Sequence, residues 1–97
     1  MQQTQQDTAF KELARRLEVA ELAMRRLPPS MKKERQDLMR MWRHVANLVA
    51  QASNAQVACR RRLRPTEQFL SKIIELEESL TNFEGYVTIA KLKKGAQ

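Results

Sequence analysis

Glycine, proline, cysteine and aromatic residues are all scarce in this chain, and each scarcity excludes something. Two glycines and three prolines in 97 residues leave a chain dominated by Ala, Leu, Met, Gln, Glu, Lys and Arg, all good helix formers. The fold class read from this is all-α. The single cysteine, Cys59, cannot form an internal disulfide, and the single histidine, His44, has no second imidazole and no Cys–His ligand spacing to share a metal with. Aromatic residues are 5% of the chain, a poor supply for stacking on single-stranded nucleic acid. No apolar stretch follows a basic start, and no run approaches the ~20 residues of a membrane span. No signal peptide, membrane contact, cofactor or small-molecule substrate is therefore expected, and the cytoplasm, the chain's own or a host's, is the expected compartment. No constellation of catalytic residue types stands out, so the expectation is a non-enzyme.

What the chain does have is register. Met31, Leu38, Val45, Ala52 and Cys59 follow one another at seven-residue intervals, the repeat that keeps one seam of a long helix against its neighbours. Phe10, Leu13, Leu17, Ala20, Met24 and Leu27 precede it at 3-4-3-4-3 spacing, and Phe69, Ile73, Leu76, Leu80 and Phe83 follow at 4-3-4-3, broadened by Leu70 and Ile74; Met41, Trp42, Leu48, Val49 and Leu63 widen the central seam. Pro28 and Pro29 stop the first run, since a residue before proline is pushed out of the helical region. Ser30 is placed to cap the next helix, and Pro65 marks the second boundary. The reading is a three-helix antiparallel bundle around one long central helix, with helices at about 7–27, 31–63 and 66–84. Asp7 is taken as the first N-cap, behind a disordered Gln-rich tail at 1–6. Residues 86–97 form a basic C-terminal extension. For that extension Gly85 reads as a C-cap, while Val87 and Ala90 continue the helical register. A helical or irregular course is favoured over a strand.

The helix lengths suggest that the first helix covers the N-terminal half of the second and the third its C-terminal half, overlapping near Val45 to Ala52. Residues His44 to Cys59 contain no formally charged side chain when His44 is neutral. Within that run Asn47, Ala50, Asn54 and Val57 form a stripe that no other helix obviously covers. Either it is an interface, for a partner or a second copy, or the alanines serve helix propensity alone. Trp42, in the run Met39 to His44, is a core-edge residue, an interface anchor or a stacking platform flanked by Arg40 and Arg43. Cys59, on the apolar register, is read as core.

Charge is unevenly spread. The chain carries +7 overall at a pI near 10.2. Residues 31–64 alone carry +7, and residues 65–85 carry −4. One basic cluster, Arg25, Arg26, Lys32, Lys33 and Arg35, surrounds the proline turn. There the first-turn lysines are disfavoured by the helix dipole, and free backbone N–H groups suit an anion. The other, Arg60, Arg61, Arg62 and Arg64, sits at a helix C-terminus, where the dipole itself favours cations. Both clusters also read as solvated surface.

The composition and faces together point to a small helical adaptor, regulator or inhibitor that docks on a larger protein with an acidic surface. A homodimer is the expected oligomer. The alternative is a low-specificity nucleic-acid binder acting as a basic helical dimer, without any helix-turn-helix signature. The core register is directly testable. Leu48→Asp should abolish the cooperative thermal transition followed by circular dichroism, because an unpaired buried carboxylate is costly; a native melt would show that the stripe is misplaced.

Overall fold

In the computed structural model, residues 2–61 and 66–96 are described, with side chains over 5–61 and 67–95. Three helices make up the fold: α1, Gln2–Arg25; α2, Lys32–Arg60; and α3, Thr66–Ala96. A single 3-10 turn at Pro29–Met31 links the first two. They pack up-down-up into a thin bundle of 52 × 20 × 16 Å. Leu63, read as part of the central seam, and Pro65, read as the second boundary, lie outside the described residues, as do Arg62 and Arg64.

The apolar registers become the core. The first and third registers are buried except for Leu70 and Ile74, which were read as broadening the third and are exposed; α2 contributes Leu38, Val45, Leu48 and Ala52, with Met31 from the turn, and Met41, Trp42 and Val49 pack against them partly buried. No polar side chain is buried among the described residues. Phe10 meets Phe69 edge-on at 5.8 Å and 87°, which sets the N-terminal parts of α1 and α3 side by side and so makes those two helices parallel. Edge-to-face pairing contributes about 0.5–1.5 kcal/mol beyond area burial. Ala52 is fully buried and Ala46 and Ala55 pack against the core partly buried, so part of the alanine-rich run serves close helix approach.

Several boundaries differ from the expectation. α1 begins at Gln2 and not at Asp7, and Gln5, Gln6 and Ala9 line an open groove with Leu70 and Ile73 of α3. Asp7 is therefore no cap. Its carboxylate accepts a hydrogen bond from Gln56 Nε2 at 2.6 Å and pairs with Arg60 at 3.5 Å. Ser30 does not cap α2 either. It lies inside the 3-10 turn, where the Met31 N–H donates to the Pro28 carbonyl at 2.9 Å, and no side chain caps α2. Cys59 is half-buried, at the margin of the core.

The largest difference is at the C-terminus. α3 continues through Gly85 to Ala96, and Val87 and Ala90 are buried. Residues 86–96 are thus the last turns of the bundle and no separate extension. Glycine in a helix costs roughly 1 kcal/mol, whereas burying a valine contributes about 1.5–3 kcal/mol, so packing decides. With this length α3 lies along all of α2. Near one end the Lys72 ammonium donates to Gln51 at 2.8 Å. At the other, Tyr86, Ala90 and Lys93 face Glu34, Leu38 and Met41. Likewise α1 reaches from Trp42 to Arg60, so the expected division of α2 into two separately covered halves does not occur.

Among the described residues one ion pair joins α1 to α3. Arg16 donates to both carboxylate oxygens of Glu84, at 2.5 and 3.2 Å, and this bond raises the guanidinium above its already high ordinary value. Replacing Val87 by Ala should lower unfolding stability by about 2 kcal/mol, read as a fall in the urea midpoint at constant m-value. A flexible extension would give no shift.

Candidate functional site

The proline turn is compact. The Arg26 N–H reaches the Leu22 carbonyl at 3.1 Å and the Leu27 N–H the Met24 carbonyl at 3.2 Å, so α1 closes its last turn before the chain reverses. The reversal sets Arg25 against the first two turns of α2. Met24, Arg25, Lys32, Arg35, Gln36 and Met39 line a groove with a cavity volume of about 240 Å³. Three cations surround an apolar floor, and no carboxylate is among the lining residues. The Arg25 guanidinium pairs with Glu21 at 3.4 Å and lies 5.9 Å from the centre of the Trp42 ring, a cation–π distance. Trp42 is half-buried, packed against the core. Of the five residues assigned to this cluster, Arg25, Lys32 and Arg35 come together. Arg26 and Lys33 are exposed but do not line the groove.

A second feature adjoins it. The outward side of α2 carries Lys32, Gln36, Arg43, Asn47, Ala50, Asn54, Val57 and Arg61 in one helical register, all exposed. Arg40 and Lys33 flank it. Among the described residues none of Lys32, Lys33, Arg40, Arg43 or Arg61 has a carboxylate in ion-pair range. The two acidic residues of α2, Glu34 and Asp37, turn the other way, into the crevice shared with Tyr86 and Lys93 of α3. The helix is therefore cationic towards its ends, uncharged in the middle, and free of acid along one side for roughly 43 Å at ~1.5 Å per residue.

The sequence reading found Asn47, Ala50, Asn54 and Val57 but missed Gln36, Met39, Arg40 and Arg43. The same 3-4 spacing, extended towards the N-terminus of α2, reaches Arg43 and Gln36. The signal was hidden because charge was read in clusters and not along a face. The second cluster divides. Arg60 is engaged with Asp7, while Arg61 stands exposed at the end of the stripe.

No group of three or more His, Cys, Asp or Glu side chains among the described residues is arranged to hold a metal, and no described helix is long and apolar enough to cross a membrane. Comparison with protein-family models, curated proteins and solved structures gives no match, so the functional reading rests on geometry.

The chain's one tryptophan reports on the groove directly. At low ionic strength iodide should quench Trp42 more strongly than caesium, because the groove concentrates anions. Changing Arg25, Lys32 and Arg35 together to Gln should remove the difference, as should salt at several times the physiological level, where screening is short-ranged.

Proposed function

We propose that this chain is a non-enzymatic interaction protein that lays the outward side of α2, with the adjoining groove, on an acidic surface of a larger protein. The observation that carries this reading is the carboxylate-free stripe: cations at Lys32, Arg40, Arg43 and Arg61 frame a small, uncharged centre at Asn47, Ala50, Asn54 and Val57. Small side chains at the centre admit a partner's helix or sheet edge closely. The framing cations steer encounter and fix register while adding modest affinity. A regulator or inhibitor acting by occupancy needs nothing more.

The uncharged centre also weighs against phosphate tracking. From His44 to Cys59, about 24 Å of helix at ~1.5 Å per residue presents no formal charge, and Trp42 is held beneath Arg25 and is no free stacking platform.

A tagged pull-down from native cell extract, split into nuclease-treated and untreated halves, tests this reading. A stoichiometric protein should survive nuclease. Its capture should be lost with Ala50→Glu, and with Arg43→Glu its association rate should fall at least tenfold at low salt, both variants keeping wild-type helicity. Loss of all bound material on nuclease treatment would replace the reading with a nucleic-acid binder.

A further inference from the structure

The groove beside the proline turn is built differently from the open stripe that it adjoins. Its floor comes from Met24, which is 1% exposed, and from the half-buried Met39. Arg25 stands on the α1 side, and Lys32, Arg35 and Gln36 stand on the α2 side. At about 240 Å³ it falls short of the ~300–1,000 Å³ that encloses a drug-sized molecule; it is of a size to take one or two side chains. Methionine is unbranched and polarizable, so a floor made from two of them adjusts to the outline of the apolar group that enters. A bare inorganic anion suits this floor poorly, because it would give up hydration over a surface that returns no hydrogen bond.

The rim decides the charge of the occupant. Among the described residues neither Lys32 nor Arg35 has a carboxylate in ion-pair range, and Arg25 has Glu21 alone, at 3.4 Å. Even with Glu21 counted, two of the three rim cations are unanswered. Glu34 and Asp37 cannot answer them, since they lie in the crevice shared with α3. The adjoining sequence adds Arg26, Lys33 and Arg40, all exposed. Arg25 is also held over the Trp42 ring, 5.9 Å from its centre, so a carboxylate arriving on that side meets a guanidinium already in place, which lowers the cost of ordering it. A chain segment bearing carboxylates around one apolar side chain satisfies rim and floor together. An apolar anchor inside a charged rim is the usual anatomy of a protein-binding hot spot.

We propose that this groove receives a short acidic segment of the partner protein, with one Leu, Met or Phe side chain lying on Met24 and Met39 and the flanking carboxylates pairing with Arg25, Lys32 and Arg35. This occupancy rests on the partner-docking reading and adds its point of firmest attachment: the stripe guides the approach and the groove holds.

Short tryptophan-free peptides test this, each with Leu, Met or Phe between two runs of acidic residues, so that carboxylates are offered at every spacing. Binding is followed by calorimetry and by Trp42 emission. The peptides should bind one to one, shield Trp42 from iodide and weaken steeply with added salt. Replacing the central residue by Ser, with every charge kept, should weaken binding at least tenfold. Lys32→Gln with Arg35→Gln should do the same while helicity and melting stay those of the wild type. In Met39→Gln the advantage of the apolar centre over Ser should shrink. Equal affinity for apolar-centred and Ser-centred peptides, or no binding by any of them, would overturn the proposal. So would an oligothymidylate of equal charge that binds as tightly as the Leu peptide, which would assign the groove to nucleic acid. Ala50→Glu, in the stripe and away from the groove, should abolish capture of the whole partner and leave peptide affinity unchanged. A partner captured equally well by the Lys32→Gln, Arg35→Gln variant would remove the groove and keep the stripe. Peptide binding together with undiminished capture by Ala50→Glu would remove the stripe and keep the groove.

Discussion

Each helix of this bundle can bury only one stripe, and everything else follows from that limit. Three helices around a single column of side chains give a rod no wider than 20 Å, in which all buried side chains among the described residues are apolar. A core this thin supplies cohesion but little chemical individuality. The distinctive residues are forced outward, and the outward faces of α2 and α3 differ sharply. One is basic and amide-rich; the other is apolar at its ends and changes sign of charge along its length.

The internal ion pairs sharpen that difference. Arg16 is taken up by Glu84, Arg60 by Asp7 and Arg25 in part by Glu21. Such partly exposed pairs contribute ~0–1 kcal/mol each, too little to hold the fold. Their effect is to decide which charges remain unpartnered. Asp7, Glu12 and Glu21 of α1 are drawn into contacts with basic groups, and Glu34 and Asp37 of α2 turn into the α2–α3 crevice. Among the described residues, Lys32, Lys33, Arg40, Arg43 and Arg61 on the outer side of α2 are left without a carboxylate partner.

The buried stripes were readable from spacing because a seven-residue register leaves few alternatives: Phe69, Ile73, Leu76, Leu80 and Phe83 are all core. What spacing could not convey was anything set by contacts between distant segments. Asp7 has the chemistry of an N-cap, yet its carboxylate is taken up by Gln56 and Arg60 of α2 and the helix runs on past it. Gly85 resembles a helix stop until the burial of Val87 and Ala90 is known. Ser30 failed as a cap because two prolines wound the chain into a 3-10 turn first. For the site, the uncharged stretch of α2 was visible, but the acid-free side became evident only once Glu34 and Asp37 were seen to point towards α3.

The placement of charge gives the molecule a permanent electric moment with a component along the rod, since α3 passes from acidic to basic towards its C-terminus, and a component across it, towards α2. The positive pole lies along α2, and the negative pole lies on the N-terminal half of α3. In the field of an anionic surface such a rod experiences a torque about its long axis as well as an attraction. It turns its α2 side towards the surface while still a Debye length away, about 8 Å at physiological ionic strength. The rotation that a neutral rod would have to find by repeated collision is thus made before first contact, and only translation along the surface is left to diffusion.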